Sequence, residues 1–393
     1  MNNFIFQVPT TIYFGEGQLS KLNRTLKEEG KNVLLVYGGG SIKRNGLYDN
    51  LMSQMESEFN IFELAGVEPN PRIETVIKGA QLCHKHDVDV VLAVGGGSTI
   101  DCAKAIAAAR FYDGNPWDFT SDSRLVSEAL PLVTVLTIAA TGSEMNGGSV
   151  ITNLETKEKL SFHSRHVIPK ASFLDPTYTY SVPEYQTKAG SADILSHLFE
   201  NYFNQTEDTM VQDGMAEGLM RTVYHYTPIA LENPEHKGAR SNLMWASSLA
   251  LNGLTGSGKA GGWSCHGIEH ELSAYYDITH GIGLAIITPR WMKHVLNETT
   301  ADKFAQFGHR VFDLELEKNP MDTAKKAIQA VYDHFVSWGV PMTLGEVGID
   351  GSLLEEMSEM AIKHKALNVD TYVPLNKEDV WSILKESLTE FKI

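Results

Sequence analysis

A carboxylate and several histidines in this sequence have the types and spacing to hold a divalent metal. Asp193 and His197 stand four residues apart, as do His266 and His270, and His280 follows. Residues four apart share one face of a helix. One carboxylate and three neutral imidazoles suit Zn²⁺ or Fe²⁺, and a bound ion of that kind would give the chain a Lewis acid. A lone histidine is usually a packed or surface residue. Two such pairs among small and apolar neighbours are harder to explain so, because a buried imidazole needs a partner. Ala189-Gly190-Ser191-Ala192 precede Asp193, Trp263 and Cys265 flank His266, and Gly281 and Gly283 follow His280. Most other histidines (His84, His86, His163, His166, His225, His236, His294) lie in polar segments and read as surface. If Asp193, His197, His266 and His280 are the ligands, His270 is left one helical turn from His266. There it can pass protons to or from a substrate oxygen. Support of a ligand, or plain packing, is its other reading.

Two glycine-rich turns offer a second kind of chemistry. Gly95-Gly96-Gly97-Ser98 lies between an apolar run and an Ala-rich segment that includes Asp101. Glycine lets backbone approach a ligand closely, and the helix that follows aims free N–H groups and a positive dipole end at it. A pyrophosphate suits that environment, although the spacing is not the usual G-x-G-x-x-G; a tight turn is the plainer reading. Gly38-Gly39-Gly40-Ser41 ends an earlier apolar run, with Lys43 and Arg44 after it. In dinucleotide folds an acid near such a turn accepts from the adenosine ribose and rejects a 2′-phosphate. No acid stands here, so the turn leans towards NADP(H) over NAD(H); a solvated basic turn is the alternative. Thr137, Thr141 and Ser143 bring hydroxyls to the end of a third apolar run, where they line a cleft or merely close a turn.

The elements that must position these groups are legible in outline. Residues 32–37, 61–64, 88–94 and 132–138 read as strands, and 47–59, 71–86 and 100–110 as helices. Continuous apolar strands alternating with amphipathic helices imply a parallel sheet covered on both faces. After Asp175-Pro176 strand signals become rare. Helix-length periodicity takes over at 186–202, 209–230, 239–251, 323–338 and 353–363, punctuated by Pro228, Pro234, Pro289 and Pro341. The expected fold is therefore an α/β dinucleotide-binding domain over residues 1–180 and an all-helical, metal-binding domain over 181–393.

Composition narrows the class. A length of 393 residues is enough for two cores. The net charge of −16 argues against nucleic acid and against anionic membranes, whose phosphates it would repel. No signal peptide is marked, and no apolar run reaches the roughly 18 residues of a membrane helix. Three scattered cysteines do not form a disulfide framework. These features point to a cytoplasmic enzyme.

Taken together, the motifs resemble those of the iron-containing alcohol dehydrogenases, in the butanol dehydrogenase-like branch. The family's GGGS-x-x-D pattern stands at Gly95 to Asp101, with Lys104 one turn on; its Thr-rich strand end at Thr137 to Glu144; its D-x-x-x-H at Asp193 to His197; and its H-x-x-x-H plus a further histidine at His266, His270 and His280. The resemblance implies a dehydroquinate synthase-like fold, metal ligands at Asp193, His197, His266 and His280, a cofactor cleft between the domains, and a homodimer. It implies that Lys159 contacts the cofactor ribose and that Thr179 lies near the adenine; apart from the resemblance, Asn146 is a candidate for the cofactor site, and Asn146, Trp263 and His270 are candidates for shaping the pocket. The implied reaction is reversible hydride transfer between NADP(H), with NAD(H) as the alternative, and a small primary alcohol or aldehyde such as butanol or butanal, with Fe²⁺, Zn²⁺ or another divalent ion. Other readings are a dehydroquinate synthase-like lyase, a glycerol dehydrogenase-like metalloenzyme, or a nucleotide-binding protein without turnover. The lyase needs several basic residues for an acidic substrate, whereas the stretch from Asp193 to His280 is mainly apolar, with Lys259 the nearest base.

Overall fold

The computed structural model describes residues 1–369 and 371–393. The chain divides into two compact units. One comprises Gln7–Pro183 with Pro234–Ser248, the other Met1–Phe6, Glu184–Asn233 and Leu249–Ile393. The junction at Pro183/Glu184 lies three residues from the expected cut after residue 180. The first six residues group with the helices, and most of one helix groups with the sheet.

The sheet unit is built on strands β1 (Thr11–Phe14), β2 (Asn32–Tyr37), β3 (Asn60–Ala65), β4 (Val90–Gly95), β5 (Leu132–Leu136), β6 (Gly148–Asn153), β7 (Glu158–His163) and β8 (Ala171–Leu174). Six of them form one sheet in the order β1-β8-β5-β4-β2-β3, and every pair is parallel. β6 and β7 form a separate antiparallel ribbon. The connections include helices α1 (Leu22–Lys27), α2 (Ser41–Arg44), α3 (Leu47–Met55), α4 (Ile73–Lys85) and α5 (Gly97–Ala109).

Successive strand residues face opposite sides, and both sides of this sheet are covered. Val33 and Leu35 pack with Leu47, Leu51 and Met55 of α3 on one face. Leu34 and Val36 pack with Val76 of α4 and Ile106 of α5 on the other. Each such side chain contributes roughly 1.5–3 kcal/mol on burial, which is why the central strands read as unbroken apolar runs. The short outer strand β1, with its mixed burial, gives no such signal. Neither does β8, where Ser172 interrupts the apolar run and hydrogen-bonds Thr134 Oγ1 and the Glu144 carbonyl.

The helical unit contains α6 (Glu184–Tyr202) and α7 (Met210–Glu232). After α8 (Lys237–Ala250), which lies mostly in the sheet unit, come α9 (Ser264–Tyr276), α10 (His280–Val295), α11 (Ala301–Phe312), α12 (Pro320–Ser337), α13 (Leu354–Lys365) and α14 (Lys377–Glu386). Pro228 and Pro289, expected as breaks, lie inside α7 and α10. Around the proline in α10, Thr288 Oγ1 donates to the Leu284 carbonyl and Arg290 to that of Ile286. No helix among the described residues is long and apolar enough to cross a membrane. Cys83, Cys102 and Cys265 are buried and unbridged.

Candidate metal centre and cofactor loops

Three helices of one unit carry the metal candidates. α6 presents Asp193 and His197, α9 presents His266 and His270, and α10 opens on His280. The close approach of α10 to α6 needs a residue without a side chain: a Cβ at Gly281 would lie 2.0 Å from the Ala189 carbonyl oxygen. Gly281 therefore sets His280 down beside the buried face of α6.

The four groups converge on one carboxylate oxygen. Asp193 Oδ1 lies 3.5 Å from His197 Nε2, 3.8 Å from His266 Nε2 and 3.8 Å from His280 Nε2. Donors about 2.0–2.2 Å from a tetrahedral ion stand roughly 3.3–3.6 Å apart, so this spacing is close to that of a ligand set. Asp193 Oδ1 and His266 Nε2 are buried with no hydrogen-bond partner among the described residues. Orphaned buried polar atoms are costly, and a cation between them removes the cost; the residues fit a divalent ion. Ligand atoms of Asp193, His266 and His280 fall within 4.8 Å of one another, and His197 joins through Asp193. Its ring stacks on that of His266 at 4.8 Å.

Two glutamates that the sequence reading passed over fix the imidazoles. Glu200 of α6 accepts from the backbone N–H of Ser264 and of His266, and from His266 Nδ1 at 3.2 Å. Glu269 of α9 accepts from His280 Nδ1 and, at 2.5 Å, from Ser273 Oγ. An ionised carboxylate only accepts, so in the neutral ring each Nδ1 carries the proton and each Nε2 is the nitrogen left for a metal. The signal in the sequence is a repeated His-x-x-Glu: His197 to Glu200 and His266 to Glu269. Each glutamate serves a histidine of another helix rather than its own. Glu269, His270 and His280 also cluster closely enough for a metal, but Glu269 is already engaged by His280 and Ser273.

The local electrostatics follow from burial and this packing. Burial opposes charge on Asp193, yet His197 and the neighbouring imidazoles outweigh it and hold the carboxyl below the usual range. Burial pushes His197 down to about 3. His266 is raised to about 8: burial works against its charge and is overcome by Asp193 and Glu200. His270 is buried, its ring 5.5 Å from that of His280 and 6.3 Å from that of His266.

The cofactor candidates lie in the sheet unit. Gly95 ends β4, Gly96 is the N-cap of α5, and Gly97 and Ser98 form its first turn. The helix starts three residues earlier than expected, so the glycines belong to its N-terminus instead of a loop before it. A Cβ on Gly97 would lie 2.3 Å from Thr141 Oγ1, which brings the β5 loop against that turn. Thr137 follows β5, its N–H donating to the Gly95 carbonyl. Gly38, Gly39 and Ser41 form the turn after β2, and a Cβ at Gly38 would stand 3.7 Å from Thr99 Oγ1 of α5. The two glycine turns are thus neighbours.

Behind them lies a buried network. Lys104 Nζ donates to Ser143 Oγ at 2.7 Å, Asn146 Oδ1 at 3.1 Å and the Gly148 carbonyl at 2.7 Å. Ser143 Oγ donates to Asp101 Oδ1 at 2.5 Å, and Asp101 Oδ2 accepts from Val150 N–H. Asn146 Nδ2 donates to the Gly142 carbonyl. Asp101, Ser143 and Asn146 are therefore engaged with the protein, holding the 141–150 segment on α5. Burial pushes Lys104 down to about 8, against the pull of Asp101 and Glu144. Lys159 is buried on β7, paired in register with Thr152. Thr179 is buried, its hydroxyl donating to the Pro176 carbonyl.

Both halves of the chain match known proteins. A model of the iron-containing alcohol dehydrogenases matches residues 9–176, and one of the Fe-containing alcohol dehydrogenase C-terminal region matches residues 187–388. The chain is 52% identical over 390 residues to NADH-dependent butanol dehydrogenase B of Clostridium acetobutylicum, covering 99% of this chain and 100% of that one. It is 37% identical to NADPH-dependent aldehyde reductase YqhD of Escherichia coli, over 96% of this chain and 98% of the relative. The crystal structure of NADH-dependent butanol dehydrogenase A from Thermotoga maritima matches with a TM-score of 0.94 at 39% identity, covering 99% of each chain.

Proposed function

The chain belongs to the iron-containing alcohol dehydrogenase family, in its butanol dehydrogenase branch, and we propose that it reduces small aldehydes such as butanal, and oxidises the matching primary alcohols, with a nicotinamide dinucleotide. The observation that carries this reading is the convergence of three imidazole Nε2 atoms on the orphaned Oδ1 of Asp193.

In this reading Asp193, His197, His266 and His280 hold Fe²⁺ or Zn²⁺. A bound ion would supply Lewis-acid polarisation of a substrate oxygen, and the dinucleotide would supply the hydride. The protein's own part is position and protons. Glu200 and Glu269 keep two imidazoles in the metal-binding tautomer. His270, beside that set, moves a proton to or from the substrate oxygen at its ring nitrogen. Gly97 and Ser98 bring backbone N–H groups of the first turn of α5 to a pyrophosphate, and Gly95 and Gly96 let it approach closely. Thr137, Thr141 and Ser143 shape the wall beside it, Asp101 and Asn146 brace that wall, and Lys159 and Thr179 serve the ribose and adenine end. Gly38, Gly39 and Ser41 receive the adenosine ribose. A turn without an acid, followed by Lys43 and Arg44, supports NADP(H); the name of the 52% identical relative supports NAD(H).

The proposed assembly is a cytoplasmic homodimer. Metal analysis of purified protein, with initial rates for NADH and NADPH against butanal, tests the enzymatic reading. Protein that binds no divalent metal and consumes neither cofactor would end it.

A further inference from the structure

The turn after β2 has no acid of its own, yet the neighbouring strand supplies one. Glu63 of β3 pairs in register with Leu35 of β2 and so shares a face with Tyr37, two residues on. Tyr37 OH donates to Glu63 Oε2 at 2.6 Å, and Tyr48 OH of α3 donates to Glu63 Oε1 at 2.7 Å. Those phenols form a platform. Lys43 Nζ sits 4.3 Å from the Tyr48 ring centroid and 5.1 Å from that of Tyr37, and 4.0 Å from Glu63 Oε2. A cation over two phenol rings, with a carboxylate beside it, is held in place rather than loose in solvent. The cluster adjoins Gly38, whose own Cβ position is 3.7 Å from Thr99 of the α5 turn; at Gly39 no described atom lies within 4 Å of a Cβ. The backbone is open just where an adenosine ribose would pass.

We infer that Lys43 and Glu63, fixed on the Tyr37–Tyr48 platform, set the protein's choice between a dinucleotide with a ribose 2′-phosphate and one with free hydroxyls. The inference rests on the dehydrogenase reading above and names the residues that decide its cofactor. The two charges pull in opposite directions. Lys43 offers a charge-assisted hydrogen bond to a phosphate. Glu63 repels a phosphate dianion and partly neutralises Lys43, while an acid in this neighbourhood favours ribose hydroxyls. A turn that carries both charges admits either cofactor, and the balance shifts when one is removed.

The test is a fluorescence titration of the full-length protein with NADPH and with NADH at fixed ionic strength, with thermal unfolding to verify each variant's fold. Glu63→Gln keeps an acceptor for a phenol and drops the charge; the ratio of NADPH to NADH affinity should rise about tenfold. Lys43→Met keeps a stem on the rings and drops the ammonium; the ratio should fall about tenfold, through NADPH alone. Lys31→Met, at an exposed lysine at the opposite end of β2, should change it less than about twofold. Both nucleotides bound with an unaltered ratio in the Glu63 and Lys43 variants, or a larger effect at Lys31, overturns the inference while leaving the dehydrogenase reading intact. Failure of wild-type protein to bind either nucleotide removes both.

Discussion

Glu269 accepts the Nδ1 proton of His280, eleven residues further along and on the next helix, so that Nε2 of the same ring faces Asp193. The bond turns an imidazole with two equivalent tautomers into one with a single metal-binding nitrogen. Glu269→Ala should therefore weaken divalent-metal affinity about 10- to 100-fold. Glu269→Gln, which keeps an acceptor, should lose less. Competition with a chromogenic chelator measures both. Unchanged affinity in the alanine variant would show that His280 is held by other means.

The glycine contacts separate close packing from mere helix content. At Gly281 a Cβ would meet the Ala189 carbonyl at 2.0 Å, so Gly281→Ala should force α10 off α6 and destabilise the protein by about 1–3 kcal/mol. At Gly214, inside α7 and exposed, no described atom lies within 4 Å of a Cβ. Gly214→Ala should stabilise by up to about 1 kcal/mol through helix propensity. Urea unfolding of the two variants gives opposite signs if the packing is as described, and the first should also lower metal affinity because His280 adjoins the displaced turn.

The sequence was most readable where a single physical demand fell on consecutive residues. β2, β4 and β5 are buried on both faces, so their apolar runs stand out. The i, i+4 spacing of Asp193 with His197 and of His266 with His270 survives translation into a helix unchanged. What depends on the meeting of distant segments was not readable. A glutamate three residues after a histidine looks like any helical polar pair, and only the crossing of α6, α9 and α10 makes Glu200 and Glu269 the supports of His266 and His280. Glu63 stands on a strand whose sequence carries no link to the Gly38 turn, and only parallel register brings it beside Tyr37. β1 and β8, four residues each, are too short for periodicity to reveal. The proline pattern fails for a similar reason: Pro289 lies inside α10, where tertiary packing on buried neighbours outweighs the local preference of proline for a break.

Lys104 gives a pH signature. Burial lowers it to about 8, against about 10.4 in an unfolded chain. Below pH 8 the lysine is charged in both states and the folded protein bears the cost of burying it. Between the two values the unfolded chain holds more protons, so this group's contribution makes stability rise with pH across that window. The stability difference between wild type and Lys104→Met should therefore grow in favour of wild type by on the order of 3 kcal/mol from pH 8 to 10.4. Denaturation curves at half-unit pH steps measure it, and parallel curves for the two proteins would mean that the ammonium is not buried as described.

His266 and His270 share a helix face but are expected to fail in different ways. His266 faces Asp193 and is steadied by Glu200. His266→Ala should abolish stoichiometric metal and turnover together, while circular dichroism reports an intact fold, since the helices are held by their apolar cores. His270 lies beside the ligand set and is assigned the proton. His270→Ala should keep its metal and lose about 10²- to 10⁴-fold in kcat, the range for a positioned acid–base group. The pH dependence of kcat separates that role from packing: removal of a proton carrier deletes one limb of the profile, whereas loosened packing lowers the whole curve without changing its shape. Loss of metal in the His270 variant, or a profile scaled down with both limbs kept, would return His270 to a supporting part and leave the proton to reach the substrate oxygen by another group.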